Sequence, residues 1–197
     1  EAHRDPRGAA GRRRPLTFRK VGERPVHDGP FVHVVVATFE GPDGRRFERE
    51  LVRHRGAVGV LALTGGGASA VLVRQYRATV EAELLEIPAG LLDVDGESKE
   101  DAARRELEEE VGLRAVGPLE MLTEFYVAVG MTDETFTLFL CRATEPCTSS
   151  PQSAEEELMS VEEIALADVD VMVADGRIRD AKTIIALLLA RRIVGRA

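Results

Sequence analysis

The 197-residue chain is 44% hydrophobic and 30% charged, a composition that folds around a core and excludes a disordered protein. Lys and Arg number 26 against 34 Asp and Glu, a net charge of −8, which is the wrong sign for nonspecific binding of nucleic acid through a basic face. No apolar run approaches the about 18 residues of a membrane span and no secretory segment opens the chain; the two cysteines, Cys141 and Cys147, lack metal-ligand spacing, so the expectation is a cytoplasmic protein with no nucleic-acid or membrane partner.

Residues 1–15, with their arginines in a Gly, Ala and Pro background, read as a disordered basic arm. Residues 16–56 read as N-terminal strands. Within them FVHVVVATF (Phe31–Phe39) and RRFERELV (Arg45–Val52) flank Gly41-Pro42-Asp43-Gly44, the pattern of an antiparallel hairpin. Residues 57–197 read as the main domain. Ala57–Leu63 and Ala70–Val73 are β-rich runs around Gly65-Gly66-Gly67. That triplet could cradle phosphate, but neither a helix start nor a Lys-Ser/Thr pair follows it, which favours a hairpin turn.

From Ser98 to Glu110 the pattern changes: Ala103, Leu107 and Val111 recur every four residues, on one face of a helix. Ser98 with Asp101 marks its start and Gly112 its stop. Strands are expected at Glu120–Val127 and Phe136–Arg142, then a Pro/Ser-rich loop over 146–153 and a strand near Leu158–Val161. Helical periodicity occupies Val161–Ala174 and Ala181–Val194. The order strands, helix, strands, helices belongs to an α+β protein or a sheet sandwiched by helices.

The chemistry concentrates in residues 90–113. Glu106, Glu109 and Glu110 stand at i, i+3 and i+4, so three carboxylates leave one helix face. Spacing alone favours a solvated acidic face; the competing reading is a divalent cation, Mg²⁺ or Mn²⁺, which takes oxygen ligands and binds substrate phosphates.

Gly90, Glu97, Arg105-Glu106-Leu107, Glu109-Glu110 and Gly112-Leu113 together resemble the signature of the Nudix hydrolases, in which a loop and a helix hold a metal against a diphosphate. One position departs from that signature: six residues, Leu91 to Gly96, separate the glycine from the first glutamate where the family has five. Gly96 can absorb the extra bend because it accepts positive φ. Val73-Arg74-Gln75-Tyr76-Arg77, Glu86-Ile87-Pro88-Ala89-Gly90, Gly130-Met131-Thr132-Asp133-Glu134 and the tail from Gly176 to Thr183 are similar to the ADP-ribose pyrophosphatase branch.

The resemblance implies the Nudix fold, a mixed β-sheet sandwiched between α-helices, and Mg²⁺-dependent cleavage of ADP-ribose to AMP and ribose 5-phosphate. Its alternatives are another nucleoside diphosphate-sugar such as GDP-mannose, or a non-catalytic ADP-ribose sensor. It further implies Glu106, Glu109, Glu110 and the Ala89 carbonyl as metal ligands, and Arg105 paired with Glu97 to orient the loop that Gly90 opens. Arg77 is the implied diphosphate contact and Glu134 a terminal-ribose contact. Because the chain has no Trp, base stacking falls to an aromatic such as Phe31. The implied general base is Glu155, with Glu157 second, and the N-terminal strands are expected to pair across a homodimer.

Overall fold

The computed structural model describes residues 17–149 and 156–195; the basic arm and Glu155 lie outside the described residues. The chain divides into two compact units, one ending at His54 and including Ala128–Asp133, the other comprising Arg55–Val127 and the residues from Glu134 onward.

The first unit is an antiparallel sheet of β1 (Arg19–Asp28), β2 (His33–Glu40) and β3 (Arg46–Arg53) in that order. The expected hairpin is thus β2 and β3, with a third strand ahead of it. In the register of β2 on β3 Phe39 faces Phe47, and the two rings stack 5.6 Å apart, a cross-strand aromatic pair that fixes alignment. The turn closes through the Gly44 N–H donating to the Gly41 carbonyl at 2.9 Å, with Gly44 at φ 82°. β1 is exposed at nine of its ten positions, so it carries no apolar alternation for the sequence to show. The segment 128–133 is tied to β3 by the Val52 N–H on the Met131 carbonyl (2.8 Å) and by Arg53 Nη1 on Asp133 (2.8 Å).

The second unit is built on a seven-stranded mixed sheet. Its strands are β4 (Ala57–Thr64), β5 (Ser69–Arg77), β6 (Ala82–Glu86), β7 (Ala89–Leu91), β9 (Glu120–Tyr126), β10 (Thr135–Cys141) and β12 (Ser160–Ala165). The main order is β12-β5-β4-β10-β9, with β6 on β5 and β7 on β4. β4 runs parallel to β10 and antiparallel to β5. A short pair, β8 (Leu113–Ala115) and β11 (Thr144–Pro146), stands apart.

β4 is buried on both faces, as a central strand covered on each side must be. Val58, Val60 and Ala62 pack with Ala102, Ala103 and Leu107 of α1 (Lys99–Val111). Leu61 and Leu63 pack on the other side with Met172 of α2 (Val169–Ala174) and with Ala186, Leu187 and Ala190 of α3 (Ala181–Val194). The sheet therefore lies between α1 and the pair α2 and α3, the sandwich that the element order suggested. One expectation is corrected. Val161–Ala174 is not one helix: Ser160–Ala165 forms β12 against β5, a single 3-10 turn follows, and only Val169–Ala174 is α-helical. Gly65, Gly66 and Gly67 all have positive φ (55°, 69° and 94°) in the turn between β4 and β5, which is why that turn is glycine. Cys141 and Cys147 are both free.

Candidate active site

The site begins with the ends of α1. Ser98 caps its N-terminus, its hydroxyl accepting from the Asp101 N–H at 3.1 Å, and Gly112 ends it in the left-handed conformation at φ 67°. Burial of Ala102, Ala103 and Leu107 on β4 fixes the helix rotation, and that rotation turns Glu106 and Glu110 toward β7. They do not sit on a solvated face: Glu106 is only 8% exposed.

β7 is pinned to β4 in the register Gly59 with Ala89, Val58 with Gly90. The Ala89 N–H donates to Glu110 at 3.0 Å. Gly90 lies so close to Glu106 that any Cβ there would overlap both carboxylate oxygens. The glycine of the motif is thus demanded by close approach; Gly96, at φ 82°, is demanded by backbone conformation, as the longer loop required.

Together with Glu109, Arg105, Gln75, Tyr76, Arg77, Asp93 and Glu156, these groups line a cavity of about 660 Å³. Its electrostatics are unbalanced. Burial pushes the Glu106 carboxyl up to about 7, against the pull of Arg105. Burial together with the neighbouring Glu106 and Glu156 charges pushes Glu110 up to about 8. Two carboxylates one helical turn apart, poorly solvated and facing a third, cannot all ionise cheaply.

Arg105 is the principal counter-charge. Its Nε and Nη2 grip Glu97 at 3.0 and 3.2 Å, as the resemblance implied. Its Nη1 also reaches Glu106 (2.6 Å) and Glu109 (3.1 Å), contacts the sequence did not reveal. Arg77, at the end of β5, gives Nε and Nη2 to the two oxygens of Glu86, both at 2.8 Å, and borders the cavity. A second cavity of about 380 Å³ shares Arg77, Ala89, Gly90 and Leu91 with the first and is walled by Phe125, Tyr126, Phe136, Ile185, Glu134, Asp180 and Lys182.

The structure therefore brings Arg77, Ala89, Gly90, Arg105, Glu106, Glu109 and Glu110 to one cavity, with Glu97 behind Arg105 and Glu134 in the adjoining cavity. Glu157 is exposed and lines neither cavity. Phe31 belongs to the first unit, 79% exposed in the turn between β1 and β2. Sequence reasoning did not single out Glu156, which lines the cavity and stands in a run of three glutamates that composition cannot tell apart. It also missed Lys182 and Asp180, whose role depends on α3 meeting β6.

The donor chemistry fits a divalent cation. Among the described residues no closed cage of three or more carboxylate, imidazole or thiolate donors exists. Instead, two carboxylates with raised pKa open onto a cavity, the arrangement suited to a hard cation that keeps waters and shares its remaining positions with substrate phosphates.

A family model for the NUDIX domain matches residues 53–187. The ADP-ribose pyrophosphatase of Bacillus subtilis is 36% identical over 172 residues, covering 87% of this chain and 91% of the relative. The methanol dehydrogenase activator of Bacillus methanolicus is 35% identical over 162 residues, covering 82% and 86%. A solved structure described as an ADP compounds hydrolase superposes with a TM-score of 0.81 over 91% of this chain and 95% of its own; at 24% identity it speaks to the fold alone.

Proposed function

The chain belongs to the NUDIX domain family, and from that premise we propose that it is a pyrophosphohydrolase that cleaves ADP-ribose to AMP and ribose 5-phosphate with Mg²⁺ or Mn²⁺ held by Glu106 and Glu110. The observation that carries this reading is the pair of raised carboxylates at the floor of the cavity: the site is short of positive charge in the place where a diphosphate would also need it. Likeness to an ADP-ribose pyrophosphatase over most of both chains supports the choice of substrate. One water is consumed; its oxygen bonds to one phosphorus as the bridging P–O bond breaks.

A bound divalent cation supplies charge neutralisation of the diphosphate oxygens and a lowered pKa for water. The rest is the work of the chain. Glu106 and Glu110 hold the cation, with Glu109 and the Ala89 carbonyl beside them. Glu97 holds Arg105, and Arg105 in turn orients Glu106 and Glu109. Arg77, with two of its N–H groups committed to Glu86, presents the remaining edge of its guanidinium to the diphosphate. Glu156, charge-coupled to both Glu106 and Glu110, takes up the proton of the attacking water; Glu155 is its rival as its neighbour in the chain. Glu134 addresses the sugar. The three-stranded N-terminal sheet pairs with a second copy and brings Phe31 to the nucleotide, and the two free cysteines suit a reducing cytoplasm.

The test is product analysis by mass spectrometry with Mg²⁺ over ADP-ribose, GDP-mannose, UDP-glucose and NADH. Preference for ADP-ribose with release of AMP is expected. Preference for GDP-mannose reassigns the substrate, and binding of ADP-ribose without turnover makes the protein a sensor. A mass in light scattering that stays monomeric at all concentrations removes the dimer.

A further inference from the structure

The start of α3 is wired to the cavity through one buried carboxylate. Glu86 is 1% exposed, yet it faces two cations: both oxygens accept from Arg77, and Oε2 also accepts from Lys182 Nζ. Lys182 pairs in turn with Asp180 Oδ1 at 2.9 Å. Asp180 Oδ2 caps α3 by accepting from the Thr183 N–H (2.9 Å) and hydroxyl (2.6 Å), and the Thr183 hydroxyl accepts from the Ile87 N–H at 2.9 Å. A continuous set of bonds thus runs from α3 through residues 86 and 87 to Arg77, just ahead of Ala89 and Gly90.

We propose that Lys182 is a positioning residue: by sharing Glu86 with Arg77 it holds the Arg77 guanidinium at the cavity rim and leaves it free positive charge for an anionic substrate. This rests on the diphosphate role given to Arg77 above. The charge count explains why a second cation is needed. Arg77 and Lys182 balance Glu86 and Asp180, so the cluster is neutral. Without Lys182 it carries one excess negative charge beside a cavity that already holds Glu106, Glu109, Glu110 and Glu156. Arg77 would then be fully neutralised by a carboxylate that has no other cation, and would offer a diphosphate no free positive charge. Burial alone would push Glu86 up, but Arg77 and Lys182 together hold it below the ordinary range.

The experiment is a kinetic cycle on the full chain with Mg²⁺ and ADP-ribose, using Lys182→Met, Lys182→Arg, Arg77→Ala and Arg77→Ala/Lys182→Met. Lys182→Met should raise KM by about tenfold or more while kcat changes little, and Lys182→Arg should recover most of the loss. In the Arg77→Ala background the Lys182 substitution should add almost nothing, because it acts through Arg77. Additive losses would mean that Lys182 touches substrate itself and would overturn the proposal, as would a fall in kcat alone. Should Lys182→Met fail to fold, Lys182→Gln, which removes the charge but keeps a polar head toward Glu86, takes its place with the same rise in KM expected. A readout without substrate separates this proposal from the choice of reaction: the NMR resonance of Arg77 Nε–H, identified by its loss in Arg77→Lys, should move in Lys182→Met and return in Lys182→Arg. If ADP-ribose is not hydrolysed, the reaction is wrong and this resonance still decides; an unmoved resonance overturns the role of Lys182.

Discussion

At Gly90 and Glu156 the site is decided by single atoms. A methyl group at residue 90 would occupy the space of the Glu106 carboxylate, so Gly90→Ala must push Glu106 off its place while leaving β7 paired with β4. Activity should fall by about a hundredfold, as for a misplacement near 1 Å, with a circular-dichroism melt close to wild type; normal turnover would mean that Glu106 needs no fixed position. The proton acceptor is tested by Gln variants at residues 155, 156 and 157. Glu156→Gln should lower kcat by about 10²–10⁴-fold with KM little changed, whereas Glu157→Gln, on an exposed side chain outside both cavities, should be neutral. If Glu155→Gln carries the loss instead, the role moves one residue back. These outcomes bear on what a sequence displays at this scale. Glu106 and Glu110 were legible because the helix period puts them on one face within a segment that resembles the Nudix signature, and Gly90 because it opens that segment. Glu156 was not, because nothing in the run Glu155-Glu156-Glu157 sets one glutamate apart from the next, and no periodicity operates there.

Among the elements, α1 carries its own boundaries, and they can be measured. Gly112 closes the helix at φ 67°, and a Cβ there would also come within 3.1 Å of the Cys147 carbonyl. Gly112→Ala should therefore cost about 1–2 kcal/mol, read as a lower urea midpoint with unchanged slope; a midpoint equal to wild type would mean that the helix end relaxes freely. The same local determinism made α1 readable to within a residue: cap, apolar period and glycine stop all fall inside one segment. β12 shows the opposite case. Val161–Ala174 reads as one helix in the sequence, yet Ser160–Ala165 is drawn into the sheet because β5 offers an edge to pair with, a tertiary gain that outweighs local preference. β6, β7, β8 and β11 run three to five residues, too short for any period to register. β7 is the costly omission, since it carries Ala89 and Gly90 to the carboxylates.

For the whole molecule, the net charge of −8 conceals where the strain lies, and titration exposes it. Glu106 and Glu110 have folded-state values near 7 and 8 against an ordinary 4.5, so between those values the folded protein binds protons that the unfolded chain has released. Stability of the metal-free protein contributed by these groups is therefore complete below about pH 4.5 and is lost as pH rises through 7 to 8. Carboxylates shifted the other way, Glu86 among them, lose stability only on acidification below the ordinary value and do not interfere in this window. A cation that requires both carboxylates ionised competes with their protons. Mg²⁺ should then raise the melting temperature more at pH 8 than at pH 5.5; saturation at a hundred times Kd is worth about 2.7 kcal/mol. Glu110→Gln should be more stable than wild type at pH 8 without metal, because it removes the costliest charge, and should lose most of the Mg²⁺ response. Thermal melts across pH with and without Mg²⁺ read all three effects together. A Mg²⁺ shift that is equal at both pH values, or that survives Glu110→Gln, would place the cation elsewhere, and the acidic floor of the cavity would then need another counter-charge.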